Sequence, residues 1–269
     1  MITLYVLGSG SRGNCCVVES EGVALLVDAG FSAREIERRA ELVGFELSRL
    51  LGIALTHEHG DHSRGAPLLS RRLRIPVLTA PGTWSHLAPA MRQVTHQPLG
   101  ICAKVEIGPF TIDACPTSHD AAEPLAMVVR DTRGVSVGIA FDLGRPTAAL
   151  RYLLRDVTGI VLEANHDEVQ LRTSDYPPVV QRRIAGSTGH LSNRAAAQLL
   201  GELCHPGLSA VVLAHLSYEC NTAAEAHTAV MRALRRAGFK GVLQVAHQDQ
   251  PLRPILVVPR QAVQLALAL

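Results

Sequence analysis

The sequence predicts an α/β protein of four layers: two β-sheets packed face to face, each covered on its outer side by helices. Three observations carry this reading. Short β-branched runs fill the first half and return in the middle. Helical patterns alternate with single apolar strands through the last third. No repeat, linker or low-complexity stretch divides the chain. The 269 residues, 47% hydrophobic and 19% charged, suffice for one large core. Residues 1–269 are therefore expected to form a single domain.

Taken in order, the runs 2–7, 15–20 and 23–28 are separated by a Gly/Ser turn and by Glu21-Gly22, the pattern of a meander. A helix follows over 32–43, with Ser32 as N-cap and Gly44 closing it. Residues 51–56 form an apolar strand that runs into His57; a helix (63–73), a strand (75–79) and a Pro-Gly-started helix (81–91) come next. Strands are expected over 104–107, 110–115, 125–130 and 135–141, a helix over 147–155 and a buried strand over 159–163. The end reads as helix 192–203, strand 208–214, helix 222–237 and a closing pair of strands, 241–246 and 254–258.

Composition excludes several classes. No apolar run approaches the ~20 residues of a membrane span, and the first ten residues carry no basic n-region, so a cytoplasmic protein is expected. The net charge of +2 is too small to announce a polyanion partner by itself. Six cysteines without CxxC spacing (Cys15, Cys16, Cys102, Cys115, Cys204, Cys220) fit reduced, mostly buried thiols. The twelve histidines are the anomaly.

Gly8-Ser9-Gly10-Ser11-Arg12-Gly13 spells a dinucleotide fingerprint, with Asp28 where a ribose-binding acid would stand. That fingerprint needs a helix starting at its last glycine. Asn14-Cys15-Cys16-Val17-Val18 follows instead, which is a strand, so the loop reads as a hairpin turn. Its exposed N–H groups remain a candidate phosphate contact near a catalytic centre.

The strongest signal is His57-Glu58-His59-Gly60-Asp61-His62. His57 and His59 can converge on one ion from a loop, while Asp61 and His62 point to a second. Gly60 lets the backbone bend between the two pairs. Further candidates end later strands: His119, Asp142 and His215. Ligands at successive strand ends gather at one edge of a sheet, a geometry suited to a metal pocket.

This pattern resembles the metallo-β-lactamase superfamily, whose HxHxDH loop corresponds to His57, His59, Asp61 and His62. The resemblance implies an αββα sandwich. It implies that His57, His59 and His119 hold one divalent ion, that Asp61, His62 and His215 hold a second, and that Asp142 bridges them. Nitrogen and carboxylate ligands suit zinc or manganese, and iron is compatible. A narrower likeness lies downstream, in Leu162-Glu163-Ala164-Asn165-His166-Asp167, Tyr176-Pro177, Arg182-Arg183-Ile184, Gly189-His190-Leu191-Ser192-Asn193 and His215-Leu216-Ser217. These segments resemble the YycJ/WalJ family, small relatives of nucleases such as RNase J and tRNase Z. That likeness implies a phosphodiesterase acting on nucleic acid, DNA with an accessible 5′ end, by 5′→3′ exonuclease action, with mismatch-repair proteins as partners.

By the same likeness, water activated at the ions attacks phosphorus, Asp61 also orients the nucleophile, and His190, oriented by Glu163, protonates the leaving group. Asn165, His166, Ser192, Asn193 and Arg182 are candidate substrate contacts. Asn165 as a helix N-cap, Ser192-Asn193 as another cap, and the arginines 182, 183 and 194 as a solvated face are the plain alternatives. A hydrolase of small thioester, lactone or lactam substrates is the competing function, because a two-ion centre alone permits it. Such leaving groups do not call for a His–Glu proton donor.

Overall fold

The computed structural model describes residues 1–100 and 104–259; Cys102 lies outside them. Two seven-stranded sheets form the centre. The first runs β1 (Ile2–Gly8), β2 (Cys15–Ser20), β3 (Val23–Val27), β4 (Leu50–Ala54), β5 (Val77–Thr79) and β6 (His96–Pro98), with β14 (Ile255–Val257) beside β1 at the edge. The second has the order β13 (Val242–Val245), β12 (Ala210–Ala214), β11 (Gly159–Glu163), β10 (Ser136–Ala140), β9 (Leu125–Arg130), β8 (Phe110–Pro116) and β7 (Val105–Ile107). Each sheet is antiparallel in its meander and parallel where helices connect the strands.

Strand periodicity creates the layers. Along β1, Ile2, Leu4 and Val6 enter the core between the sheets, whereas Tyr5 and Leu7 face the first helical layer. That layer packs Ile36 and Ala40 of α1 (Ala33–Leu42) and Leu69 of α3 (Ala66–Leu73), with α4 (Pro81–Leu87) at its side. On the far side, α5 (Ala148–Leu154), α8 (Asn193–Leu203) and α9 (Ala223–Arg236) cover the second sheet through Leu150, Leu199, Leu200 and Val230. The result is the expected αββα sandwich.

The expected caps at Ser32 and Gly44 form, and Ser192 takes its cap alternative: Ser32 and Ser192 each accept a hydrogen bond from a first-turn N–H, as do Thr147 and Thr222, and Gly44 follows α1 with φ +69°. The differences from expectation have local causes. The helix expected over 63–73 is split into α2 (Gly60–Ser63) and α3, because Pro67 starts a fresh helix in the first turn of α3. The helix expected over 81–91 stops at Leu87. Strand β6 was not expected; it is a short terminal strand containing Pro98, which a sheet tolerates only at such a place. Helix α7 (Pro178–Ile184) was not expected, and α6 (Glu168–Thr173) corresponds to the helix start weighed at Asn165; both are too short and too little buried to leave a periodic apolar stripe. Asp167, not Asn165, caps α6.

Gly30 has the tightest passage near the loop that follows β4. A Cβ there would lie 1.7 Å from Asp61 O and 2.6 Å from Asn14 N. Both are backbone atoms, so no rotamer change relieves the clash. Gly30→Ala is expected to destabilise the protein by about 3 kcal/mol, read as a lowered urea midpoint; an unchanged midpoint would contradict this packing.

Candidate metal centre

The C-terminal ends of β4, β10, β11 and β12, together with the loop after β8, deliver the centre's side chains to one edge of the sandwich. His57, His62, His119, Asp142, Glu163 and His215 are buried, and His59, Asp61 and His190 are partly exposed. Asp142 and His215 turn off their strands in left-handed conformation, at φ +51° and +54°; Asp28, ending β3, does the same at +58°. Such backbone is costly for residues other than glycine and concentrates at sites where the surroundings impose it.

The ring nitrogens are sorted by their outer partners. His57 Nδ1 lies 3.0 Å from Thr56 Oγ1, and His119 Nδ1 lies 3.2 Å from the Gly189 carbonyl. Their Nε2 atoms therefore face inward, 3.0 Å and 3.3 Å from Nδ1 of His59. His62 Nδ1 lies 2.7 Å from Asp28 Oδ2, and His215 Nδ1 lies 2.9 Å from Glu163 Oε1. Their Nε2 atoms both lie 3.4 Å from Asp61 Oδ2. Asp142 Oδ2 stands between the two sets, 3.1 Å from His57 Nε2 and 3.0 Å from His62 Nε2.

These donors fit divalent cations. Three imidazole nitrogens and a carboxylate converge in one set, and Asp61, His62 and His215 form another beside Asp142. Burial, and then the neighbouring histidines, push His57 and His119 toward the neutral form that binds metal, against the pull of Asp142. Asp142 Oδ1 is buried without a hydrogen bond, although His190 Nδ1 and His215 Nδ1 lie 3.1 and 2.9 Å away. A cation beside that carboxylate supplies what the protein does not.

Beside the cluster, Glu163 Oε1 receives His190 Nδ1 at 2.7 Å, while its Oε2 accepts from the N–H groups of Leu143 and Leu191. Burial and the Asp142 charge oppose the charge of Glu163, yet His190 and then His215 hold its pKa below the usual carboxylate range. Burial likewise opposes the charged form of His190, but Glu163 and Asp142 outweigh it and raise the ring to about 9. With Nδ1 engaged, His190 presents its other edge to a cavity of about 300 Å³ lined also by Ser11, Asp61, Asn165, Tyr176 and Arg183. A larger cavity, about 630 Å³, lies on the outer face of β8 and β9 beside α5 and has no converging ligands.

The proposed substrate contacts divide. Asn165 lines the cavity, and its amide donates to the His215 carbonyl at 2.9 Å. Asn193 is turned inward and trades hydrogen bonds with Asn221, whose amide also ties Ala164 and Asn165. Ser192 caps α8, and the buried His166 pairs in a bridge with it; none of His166, Ser192 and Asn193 reaches the cavity. Arg182 is exposed on α7 outside the cavity wall, whereas its neighbour Arg183 lines the wall and pairs with Asp120 at 2.7 Å. Arg194 is taken up by Glu168 at the surface.

Sequence reasoning missed Asp28 and Thr56 as parts of the centre. Asp28 accepts from the Thr56 N–H and hydroxyl as well as facing His62, so one carboxylate sets two rings, one of them through Thr56. Its signal was the one that found Asp142, an acid ending an apolar strand. Glu58, inside the motif, turns away and accepts from the Ala122 N–H at 2.7 Å, holding the loop that carries His119.

Residues 8–123, which contain the 57–62 loop and His119, match the model of the metallo-β-lactamase superfamily. Over that stretch the chain is similar to the superfamily, and its fold is the metallo-β-lactamase fold. Across the superfamily's fold the likeness extends further: YhfI from Bacillus subtilis superposes with a TM-score of 0.69 at 17% identity, over 94% of this chain and 100% of that one. Among characterised relatives, exodeoxyribonuclease YycJ of Bacillus anthracis is 29% identical over 93% of this chain and 96% of its own length. Exodeoxyribonuclease WalJ of Streptococcus pneumoniae is also 29% identical, over 86% and 88%. The clustered donors are those of a metal-dependent hydrolase, and among the described residues no helix is long and apolar enough to cross a membrane.

Asp28→Asn keeps the shape of the residue and weakens its hold on His62. Metal affinity, read by competition with a chelator, is expected to fall about 10–100-fold; an unchanged affinity would remove Asp28 from the centre.

Proposed function

We propose that the protein is a two-ion phosphodiesterase that degrades DNA from an accessible 5′ end. His57, His59 and His119 would hold one ion, Asp61, His62 and His215 the other, and Asp142 both. Zinc and manganese match the donor set, with iron compatible. The observation that carries the reading is the His190–Glu163 pair beside the centre, 2.7 Å apart. A proton donor there answers the need of an alkoxide leaving group, which thioester, lactone or lactam chemistry lacks.

Divalent ions, when bound, supply Lewis acidity: they activate water and neutralise charge developing on phosphate oxygens. The chain's own residues do the rest. Glu163, ionised and fixed by two backbone N–H groups, keeps His190 protonated and turns its free edge to the cavity. His190 then gives its proton to the departing O3′ oxygen and regains one from solvent at the cavity mouth. Asp61, one edge of which faces the cavity, is held ionised by His215 and His62 despite burial and can orient the attacking water. Arg183, at the mouth, offers a guanidinium to the substrate backbone.

Exodeoxyribonuclease names on two relatives that span most of this chain support DNA as the substrate. The polarity, a role in mismatch repair, repair proteins as partners and a cytoplasmic setting belong to the same proposal.

The test is incubation of the manganese- or zinc-loaded protein with end-labelled DNA and RNA, with and without a 5′-phosphate. Stepwise release from the 5′ end of DNA, lost in Asp142→Ala, is expected; turnover of a thioester or lactone without cleavage of any nucleic acid would overturn the reading. His190→Ala separates the proton donor from the ions. It is expected to lower kcat on DNA about 10²–10⁴-fold and to cost far less on a nitrophenyl phosphodiester, whose leaving group needs no proton. Equal losses on both substrates would contradict the assignment.

A further inference from the structure

Two loops from opposite sheets meet at the cavity mouth, and each carries an exposed side chain just beyond a residue of the wall. Ser11 and Ser217 line the cavity; Arg12 and Tyr218 follow them. Tyr218 is 75% exposed, more than any other aromatic side chain among the described residues, in a chain with only 4% aromatics. The Arg12 guanidinium lies over its ring, 5.5 Å from the centroid, within the range of a cation–π contact.

The pair is built into the centre's framework. Ser9 Oγ accepts from the His215 N–H at 2.7 Å and donates to Asn14 Oδ1 at 2.6 Å, which joins the loop bearing Arg12 to the segment bearing Tyr218. The Arg12 N–H donates to Gln248 Oε1 at 2.7 Å, and the Ser9 N–H donates to the His247 carbonyl. The guanidinium reaches Asp249 at 3.4 Å, a surface contact that leaves it 65% exposed. Position relative to His215 is thus fixed by the backbone, while the ring and the guanidinium stay open.

We infer that Tyr218 is a stacking platform for a nucleobase next to the scissile phosphate, with Arg12 reaching that nucleotide's phosphate. The inference rests on the nuclease reading and deepens it by naming the substrate form, a single-stranded end whose base is free to leave its pair. At about 300 Å³ the cavity is at the small end of ligand pockets, so the phosphodiester enters and the base lies at the mouth, where Tyr218 is. Stacking on an aromatic face is tolerant of sequence, as degradation of arbitrary DNA requires. The Gly8–Gly13 loop, whose glycine spacing fits no dinucleotide site, thereby has a use: it carries Arg12 to the mouth.

The test measures KM of the manganese-loaded protein on oligothymidylate, and on the same oligonucleotide lacking the two bases that flank the cleaved bond. Tyr218→Ala is expected to raise KM about tenfold on the first and no more than about twofold on the second. Tyr218→Phe, which keeps the ring, should stay within about twofold of the parent on both. Tyr218→Trp should show fluorescence quenching by the oligonucleotide beyond that of the parent's single Trp84. An unchanged KM in Tyr218→Ala, or an equal loss on the abasic oligonucleotide, would overturn the platform while the parent still cleaves DNA. Failure of the parent to cleave any oligonucleotide would instead overturn the nuclease reading.

Discussion

The rest of the structure is arranged around the placement of one carboxylate. Asp142 is buried among six imidazoles, within 3.1 Å of nitrogens from His57, His62, His190 and His215. A buried site with so many donors and three further acids, Asp28, Asp61 and Glu163, is costly without compensating charge. The fold answers with partners for the outer ring nitrogens of His57, His62, His119 and His215 and leaves their inner ones converging. Asp28, Thr56, Glu163 and the Gly189 carbonyl therefore define the centre as much as the ligands do. Left-handed backbone at Asp28, Asp142 and His215 is what turning three strands into the same small volume requires.

Much of this was legible in the sequence because the chemistry is local. The 57–62 loop declares itself in six residues, and His119, Asp142 and His215 each follow an apolar run that is unmistakably a strand. The meander, the parallel strands and the capped helices α1, α5, α8 and α9 carry clear periodicity or cap signals. What stayed hidden depends on distant partners. Asp28 looked like part of a nucleotide fingerprint because only the fold brings it to His62, across a separation of 34 residues. Asn193 and Ser192 looked like phosphate contacts, yet the nearby Asn221 draws Asn193 inward and the start of α8 takes the hydroxyl of Ser192. Helices α6 and α7 have almost no buried face, so their sequence leaves no apolar stripe to find.

The cavity's two sides divide the work. On one side the buried Glu163, at the end of β11, holds the partly exposed His190 at 2.7 Å and, with Asp142, raises its pKa against the effect of burial. On the other, Arg12, Tyr218 and Arg183 stand in solvent, where the proposed contacts to a substrate backbone and base would carry no heavy desolvation cost. Net charge across the chain is only +2, so binding of the proposed nucleic-acid substrate would rest on local contacts and should fall steeply with salt.

Seven side chains are proposed to hold two ions, with Asp142 shared between them. Anomalous diffraction from crystals grown with manganese tests this arrangement. Two peaks are expected, one among His57, His59 and His119 and one among Asp61, His62 and His215, each adjoining the Asp142 carboxylate. A single peak, or an ion held elsewhere with these residues unliganded, would contradict it.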